Sequence, residues 1–257
     1  MLAQPDSEVI IVDYACPEEA WRWVAETFPT VKVVRVTGID GFNLADARNR
    51  GAAVARGQRL AFVDADVIVA DHFIDYIDKH MTEGSVASFS QLKFGGAQDR
   101  NIKGTVIVFK RDFEFVGGYD DIFHDWGWED TDLVTRLVED AQRIVLLPRE
   151  LLSCAIVHSD AERVRFYKRS VIASFLIGFL YCHIKRLQTR LNNVAPSREQ
   201  RLALHQEASH LVDLVENEQR SELIMRYRQK RILRVSGWEF DQTVVIRGRR
   251  MGIEQPR

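Results

Sequence analysis

The chain has 257 residues, 35 Lys and Arg against 37 Asp and Glu, and a formal net charge of −2. That balance sets up no global field for nucleic acid or anionic lipid, so no nucleic-acid partner is expected. With 46% hydrophobic residues the chain can bury the core of one large α/β domain, or of one domain with an appendage. Cys16, Cys154 and Cys182 lie far apart without metal-ligand spacing, which predicts reduced thiols in a cytoplasmic protein. No basic segment followed by an apolar core opens the chain, so no leader is expected. The longest apolar run, Val171 to Ile184, is interrupted by Ser174 and Gly178 and falls short of the roughly 20 residues that span a bilayer.

In chain order, Glu8 to Asp13 reads as a buried strand ending in an acid, and the spacing of Trp21, Val24, Ala25 and Phe28 predicts an amphipathic helix. Val31 to Val36 is the next strand. Asn43 is placed to cap a helix carrying Leu44, Ala47, Gly51, Ala52 and Ala55 on one small-residue face. Arg59 to Val63 is then a strand running into Asp64 and Asp66, two carboxylates at the end where open α/β sheets bind ligands. The alternation of strand and helix predicts a mostly parallel central sheet with flanking helices.

Further on, Asp71 to Met81 is predicted helical, Ser85 to Leu92 and Gly104 to Phe109 are predicted strands, and 95–101 a loop. Gly117-Gly118-Tyr119-Asp120 leads into Trp126-Gly127-Trp128-Glu129-Asp130-Thr131-Asp132, which opens a helix to Glu139. Arg143 to Leu147 and Leu151 to Val157 read as strands ending at His158. The change of pattern after His158 predicts a division into an α/β domain over 1–160 and a helical extension over 161–257. Phe166 to Leu187 forms an apolar helix, Pro196 starts a second, and the basic run from Arg226 to Arg234 reads as a solvated helix face.

Three blocks, Glu8 to Asp13, Asn43 to Gly51 and Phe62 to Asp66, resemble in order and spacing the nucleotide-sugar half of family 2 glycosyltransferases with the GT-A fold. The resemblance implies Asp13, Arg48, Asn49 and Asp64 at the donor. Asp64, Asp66 and His158 would hold Mn²⁺ or Mg²⁺, for which hard carboxylate oxygens are suitable ligands. As plain chemistry, Asp13 as a turn residue and Arg48 as a solvated helix residue stay open. The family pattern normally has a strand and helix ahead of Glu8, so the chain reads as N-terminally incomplete, with an exposed sheet edge.

The segment from Gly117 resembles galactosyltransferase-type domains, in which a Trp-Gly-Gly-Glu-Asp motif follows a Gly-Gly-aromatic-Asp stretch. That resemblance implies Trp126, Gly127 and Trp128 at the acceptor sugar, Asp130 as general base and Glu129 as the group that orients the hydroxyl. Trp128 stands where the pattern has its second glycine, and Thr131 where it has an acid. The implied activity is an inverting, divalent-metal-dependent transfer of a hexosyl or N-acetylhexosaminyl group from a nucleoside diphosphate-sugar to a saccharide hydroxyl, of the kind used in polysaccharide biosynthesis. A truncated, non-catalytic module that binds glycan or protein is the alternative. A homo-oligomer, and peripheral contact with the inner face of a membrane through the C-terminal helices, stay open.

Overall fold

The computed structural model describes residues 6–39, 41–89, 104–140, 143–156, 159, 165, 167, 169–217, 222–228, 233–235, 238–240 and 243–249. Two compact units divide them: one from Met1–His124 with Glu129–Phe166, the other from Asp125–Trp128 with Tyr167–Arg257. The second unit thus takes four residues out of the middle of the first, a boundary that the expected division at residue 160 does not contain.

In the first unit, β1 (Ile10–Tyr14) pairs in parallel with β2 (Lys32–Val36), and α1 (Ala20–Thr27) connects them. Next comes α2 (Leu44–Val54), whose first turn is closed by the Asn43 side chain accepting from the Asp46 N–H at 2.9 Å. This is the cap expected of Asn at that position. A four-stranded sheet follows in the order β3 (Arg59–Phe62), β6 (Val106–Phe109), β5 (Ser85–Ser88), β7 (Arg143–Leu146). β3, β5 and β7 all run in one direction, and β6 is antiparallel to both its neighbours. The α/β class stands, but the four-stranded sheet is mixed. A period-two pattern specifies which residues face which way and leaves strand direction to the connections.

Both faces of this sheet are covered. Val106 and Val108 pack with Leu133, Val134 and Leu137 of α5 (Glu129–Glu139), while their neighbours Ile107 and Phe109 pack with Phe73 and Ile77 of α3 (Phe73–His80). Successive side chains of a strand point to opposite faces, so four consecutive apolar residues serve two cores. A short pair, β4 (Val67–Val69) with β8 (Leu152–Ala155), returns the chain antiparallel beside the Asp64 turn. The helix α4 (Lys110–Phe115) leads to the Gly117-Gly118 loop.

The second unit contains α6 (Val171–Asn192), capped by Ser170, and α7 (Arg198–Glu216), which starts with a reciprocal Ser197 and Gln200 capping box. Beyond them the helical expectation fails. β9 (Glu222–Arg228) pairs antiparallel with β12 (Thr243–Arg249), and β10 (Leu233–Val235) with β11 (Trp238–Phe240). Leu223 and Met225 are buried while Arg226 is exposed, a period of two that the density of basic residues masked in the sequence. Among the described residues no helix is long and apolar enough to cross a membrane.

Leu133 is fully buried on the helix that carries Glu129 and Asp130. Truncating it leaves a cavity under that helix, so Leu133→Ala should cost about 2–5 kcal/mol, read from the urea-unfolding midpoint at unchanged slope.

Candidate active site

Arg48 is the centre of the site. It lies on α2 with its side chain only 8% exposed. One terminal nitrogen, Nη2, donates to Asp64 Oδ1 at 2.6 Å; the other, Nη1, donates to Asp130 Oδ1 at 2.6 Å and reaches Glu129 Oε1 at 3.5 Å. The Tyr119 hydroxyl donates to the same Asp130 oxygen at 3.0 Å, and the Arg48 guanidinium carbon sits 5.0 Å from the centre of the Tyr119 ring. A solvated helix arginine would need none of these partners. A planar guanidinium suits two carboxylates approaching from different segments, because its two terminal nitrogens are held apart in a fixed fork.

Electrostatics follow from this burial. Loss of solvent would by itself lower the Arg48 pKa, but the surrounding charges, Asp130 foremost, hold it well above its ordinary value. Burial pushes Asp130 well above the ordinary carboxylate range, helped by the charges of Glu129 and Asp64. Arg48 and the Tyr119 hydroxyl pull it back by favouring the ionised form. Burial likewise keeps Tyr119 protonated, so its hydroxyl remains a donor.

The two motif acids have different exposure. Glu129 has its side chain 8% exposed, whereas Asp130 is 18% exposed and receives both of its hydrogen bonds on Oδ1. Both reach the same Arg48 nitrogen, Asp130 at 2.6 Å and Glu129 at 3.5 Å. Glu129 backs the Arg48 pair from inside.

Other expected donor residues serve as braces. Asn49 donates from its amide nitrogen to the Tyr119 carbonyl and accepts from the Tyr119 N–H, both at 2.9 Å. This fixes the Gly117-Gly118-Tyr119 loop to α2. Gly118, at φ 69°, leaves room for the contact, since a Cβ there would lie 2.7 Å from Asn49 Oδ1. From the other side Arg136 donates to the Val116 and Gly118 carbonyls at 2.6 and 2.7 Å and pairs with Asp132 at 2.9 Å. Asp13 is buried, and its two oxygens accept from the Cys16 and Trp21 N–H groups at 3.0 and 2.9 Å, so the turn reading left open for it describes its contacts.

Asp64 is the most open acid of the cluster, with a side chain 28% exposed, and Asp66 is half-buried on the turn that follows. His158, the expected third metal ligand, lies outside the described residues. Among the described residues no three His, Cys, Asp or Glu side chains form a ready metal cluster. Trp126, Gly127 and Trp128 belong to the second unit. The half-buried Trp128 ring packs there with Phe175 and Phe179, at 5.3 and 5.6 Å between centroids.

Residues 84–158, which contain Tyr119, Glu129 and Asp130, match the family model described as the N-terminal domain of galactosyltransferase. This stretch is similar to a galactosyltransferase segment. It spans well under half of the chain. No curated protein matches the chain. Among solved structures, the catalytic domain of Drosophila β1,4-galactosyltransferase 7 in complex with xylobiose is 16% identical at TM-score 0.43, over 64% of this chain and 74% of that one. The mannosyltransferase PcManGT from Pyrobaculum calidifontis, in complex with GDP-Man and Mn²⁺, is 20% identical at TM-score 0.47, over 78% of this chain and 59% of that one. S. aureus TarS 1–349 is 13% identical at TM-score 0.46, over 98% and 89%.

Tyr119 is the residue of this matched segment for which the sequence predicted no role. Its signal was the aromatic after Gly117-Gly118, but only the fold aims its hydroxyl at Asp130. Because that hydrogen bond favours the ionised acid, Tyr119→Phe should move the Asp130 titration further upward from an already raised position, against about 3.9 for a free aspartate. Carboxyl ¹³C NMR of Asp-labelled protein checks both the position and the shift.

Proposed function

We propose that the chain is an inverting glycosyltransferase that moves a sugar from a nucleoside diphosphate-sugar to a saccharide hydroxyl. The observation that carries this reading is Asp130. It is a partly exposed carboxylate with a raised pKa, positioned by Arg48 and Tyr119 at the start of α5 within the matched segment. A carboxylate whose pKa is raised holds the proton it takes more firmly than a free aspartate does.

In the step proposed, the acceptor hydroxyl is seated against Asp130 Oδ2, the oxygen its two hydrogen-bond partners do not use. As the acceptor oxygen attacks the anomeric carbon, its proton passes to Asp130. The new oxygen–carbon bond forms on the face opposite the breaking carbon–oxygen bond to phosphate, whose electron pair leaves with the nucleoside diphosphate. One displacement of this kind inverts the anomeric centre. Arg48 keeps Asp130 aligned and holds it to Asp64, while Glu129 fills the inner side of the guanidinium. Trp126 and Gly127, just upstream in sequence, are proposed acceptor contacts; Asp13 and Asn49 support the donor side through the backbone they hold.

Asp64, with one oxygen on Arg48, still offers its other oxygen, and Asp66 and His158 are the proposed remaining ligands of a divalent cation, Mn²⁺ or Mg²⁺. Hard oxygen donors at a strand end fit such an ion, which when bound would offset charge on the departing diphosphate. Mn²⁺ binding followed by electron paramagnetic resonance should weaken at least tenfold in Asp66→Ala, as for loss of one ligand. Unchanged binding would take Asp66 out of the set.

The decisive test is turnover. Nucleoside diphosphate-sugars are screened with Mn²⁺ for nucleotide release and for mass gain on saccharide acceptors. Asp130→Asn should lower transfer by about 10²–10⁴-fold, the usual worth of a general base, with donor affinity by calorimetry nearly unchanged. Donor or glycan binding by the wild-type chain without any transfer would instead favour the non-catalytic module.

A further inference from the structure

The four residues Asp125–Trp128 precede Glu129 and Asp130 directly, yet they belong to the unit built from the C-terminal helices. Two anchors hold them there. At one end, Asp125 Oδ2 lies 3.9 Å from Arg169 Nε and 4.0 Å from His205 Nε2 on α7; Arg169 itself forks onto Asp213. At the other end, the Trp128 ring sits among Phe175, Phe179 and His183 of α6, with centroids at 5.3, 5.6 and 5.6 Å. Phe175, Phe179 and His183 recur every four residues and so present one face of that helix.

Gly178 forms the notch in this face. A Cβ there would lie 2.6 Å from Trp128 Cδ1 and 2.9 Å from Cγ, closer than real side chains approach. The glycine that interrupted the apolar run is therefore the seat of one indole. The backbone at Trp128 is also unusual. It has φ 77°, directly after Gly127 at φ 92°, a left-handed conformation that side chains with a Cβ rarely adopt. A glycine would hold it without strain, so packing against α6 must compensate for a tryptophan in its place.

We propose that Trp128 is a positioning residue for Asp130. Its indole, seated in the Gly178 notch of α6, fixes the left-handed entry into α5, and the peptide bond to Glu129 passes that constraint to the base one residue further. This rests on the assignment of Asp130 as base, but its physical content, an anchored helix start, can be tested without substrate.

The experiment is hydrogen–deuterium exchange by mass spectrometry on the full chain, comparing peptides over 126–133 with peptides from β5 and β6. Trp128→Gly removes the indole but satisfies the backbone. It should raise exchange over 126–133 about tenfold or more, with the β5 and β6 peptides and the melting temperature nearly unchanged. Trp128→Phe, which keeps an aromatic knob, should restore most of the protection. Gly178→Ala should loosen the same peptide in the Trp128 background and add nothing in Trp128→Gly, the non-additivity expected of two residues that share one contact. If Gly178→Ala does not fold, the Gly and Phe variants at position 128 decide the matter. Unchanged exchange over 126–133 in Trp128→Gly would overturn the proposal, and so would an equal rise in β5 and β6, which marks general instability. Loss of turnover in Asp130→Asn bears only on the assignment of the base, so the two ideas fail separately.

Discussion

The first unit depends on a buried guanidinium. Removing Arg48 from water is costly, and the fold meets that cost by bringing Asp64 from the end of β3 and Glu129 and Asp130 from the start of α5 to one side chain on α2. Three elements far apart in sequence must therefore be in place before the charge is compensated. The same arrangement leaves more acid than base in the cluster. Excess negative charge and burial raise Asp130, and a divalent cation at the Asp64 end would relieve that excess.

Around this pair, the loop after α4 is braced from two directions. Asn49 holds the Tyr119 backbone from α2, and Arg136 holds the carbonyls of Val116 and Gly118 from α5. The Tyr119 ring is simultaneously packed against Phe62 and Phe113, at 5.1 and 5.9 Å between centroids, so its hydroxyl has little freedom except to face Asp130. Several side chains conspicuous in the sequence thus act on backbone, fixing the loop that carries the Tyr119 hydroxyl to Asp130.

The second unit uses different means. Its helices are closed by serine caps, and its last strands are short antiparallel pairs in which basic residues alternate with apolar ones. Its taking of Asp125–Trp128 from the middle of the first unit makes the acceptor-type motif a segment with two allegiances. Trp128 where the family pattern has glycine is the local mark of this, since only packing makes that exchange tolerable.

Sequence alone determined the α/β class, the helix at Asn43, the strand running into Asp64, and the motif ending in Glu129 and Asp130. These rest on short-range rules: an Asn side chain reaches its own helix's N–H groups, and apolar runs between turns must be buried. Tertiary structure decided the rest. Strand direction in the four-stranded sheet, the strands after Glu216, and the unit to which Trp128 belongs depend on which distant surfaces meet, and local periodicity does not encode that. Arg48 shows the division most plainly. Its place on a capped helix was legible in the residues around it, but an arginine looks the same whether its guanidinium meets a nucleotide, water or three carboxylates. Only the packing of α2 against β3 and α5 makes it the counter-charge of Asp64 and Asp130.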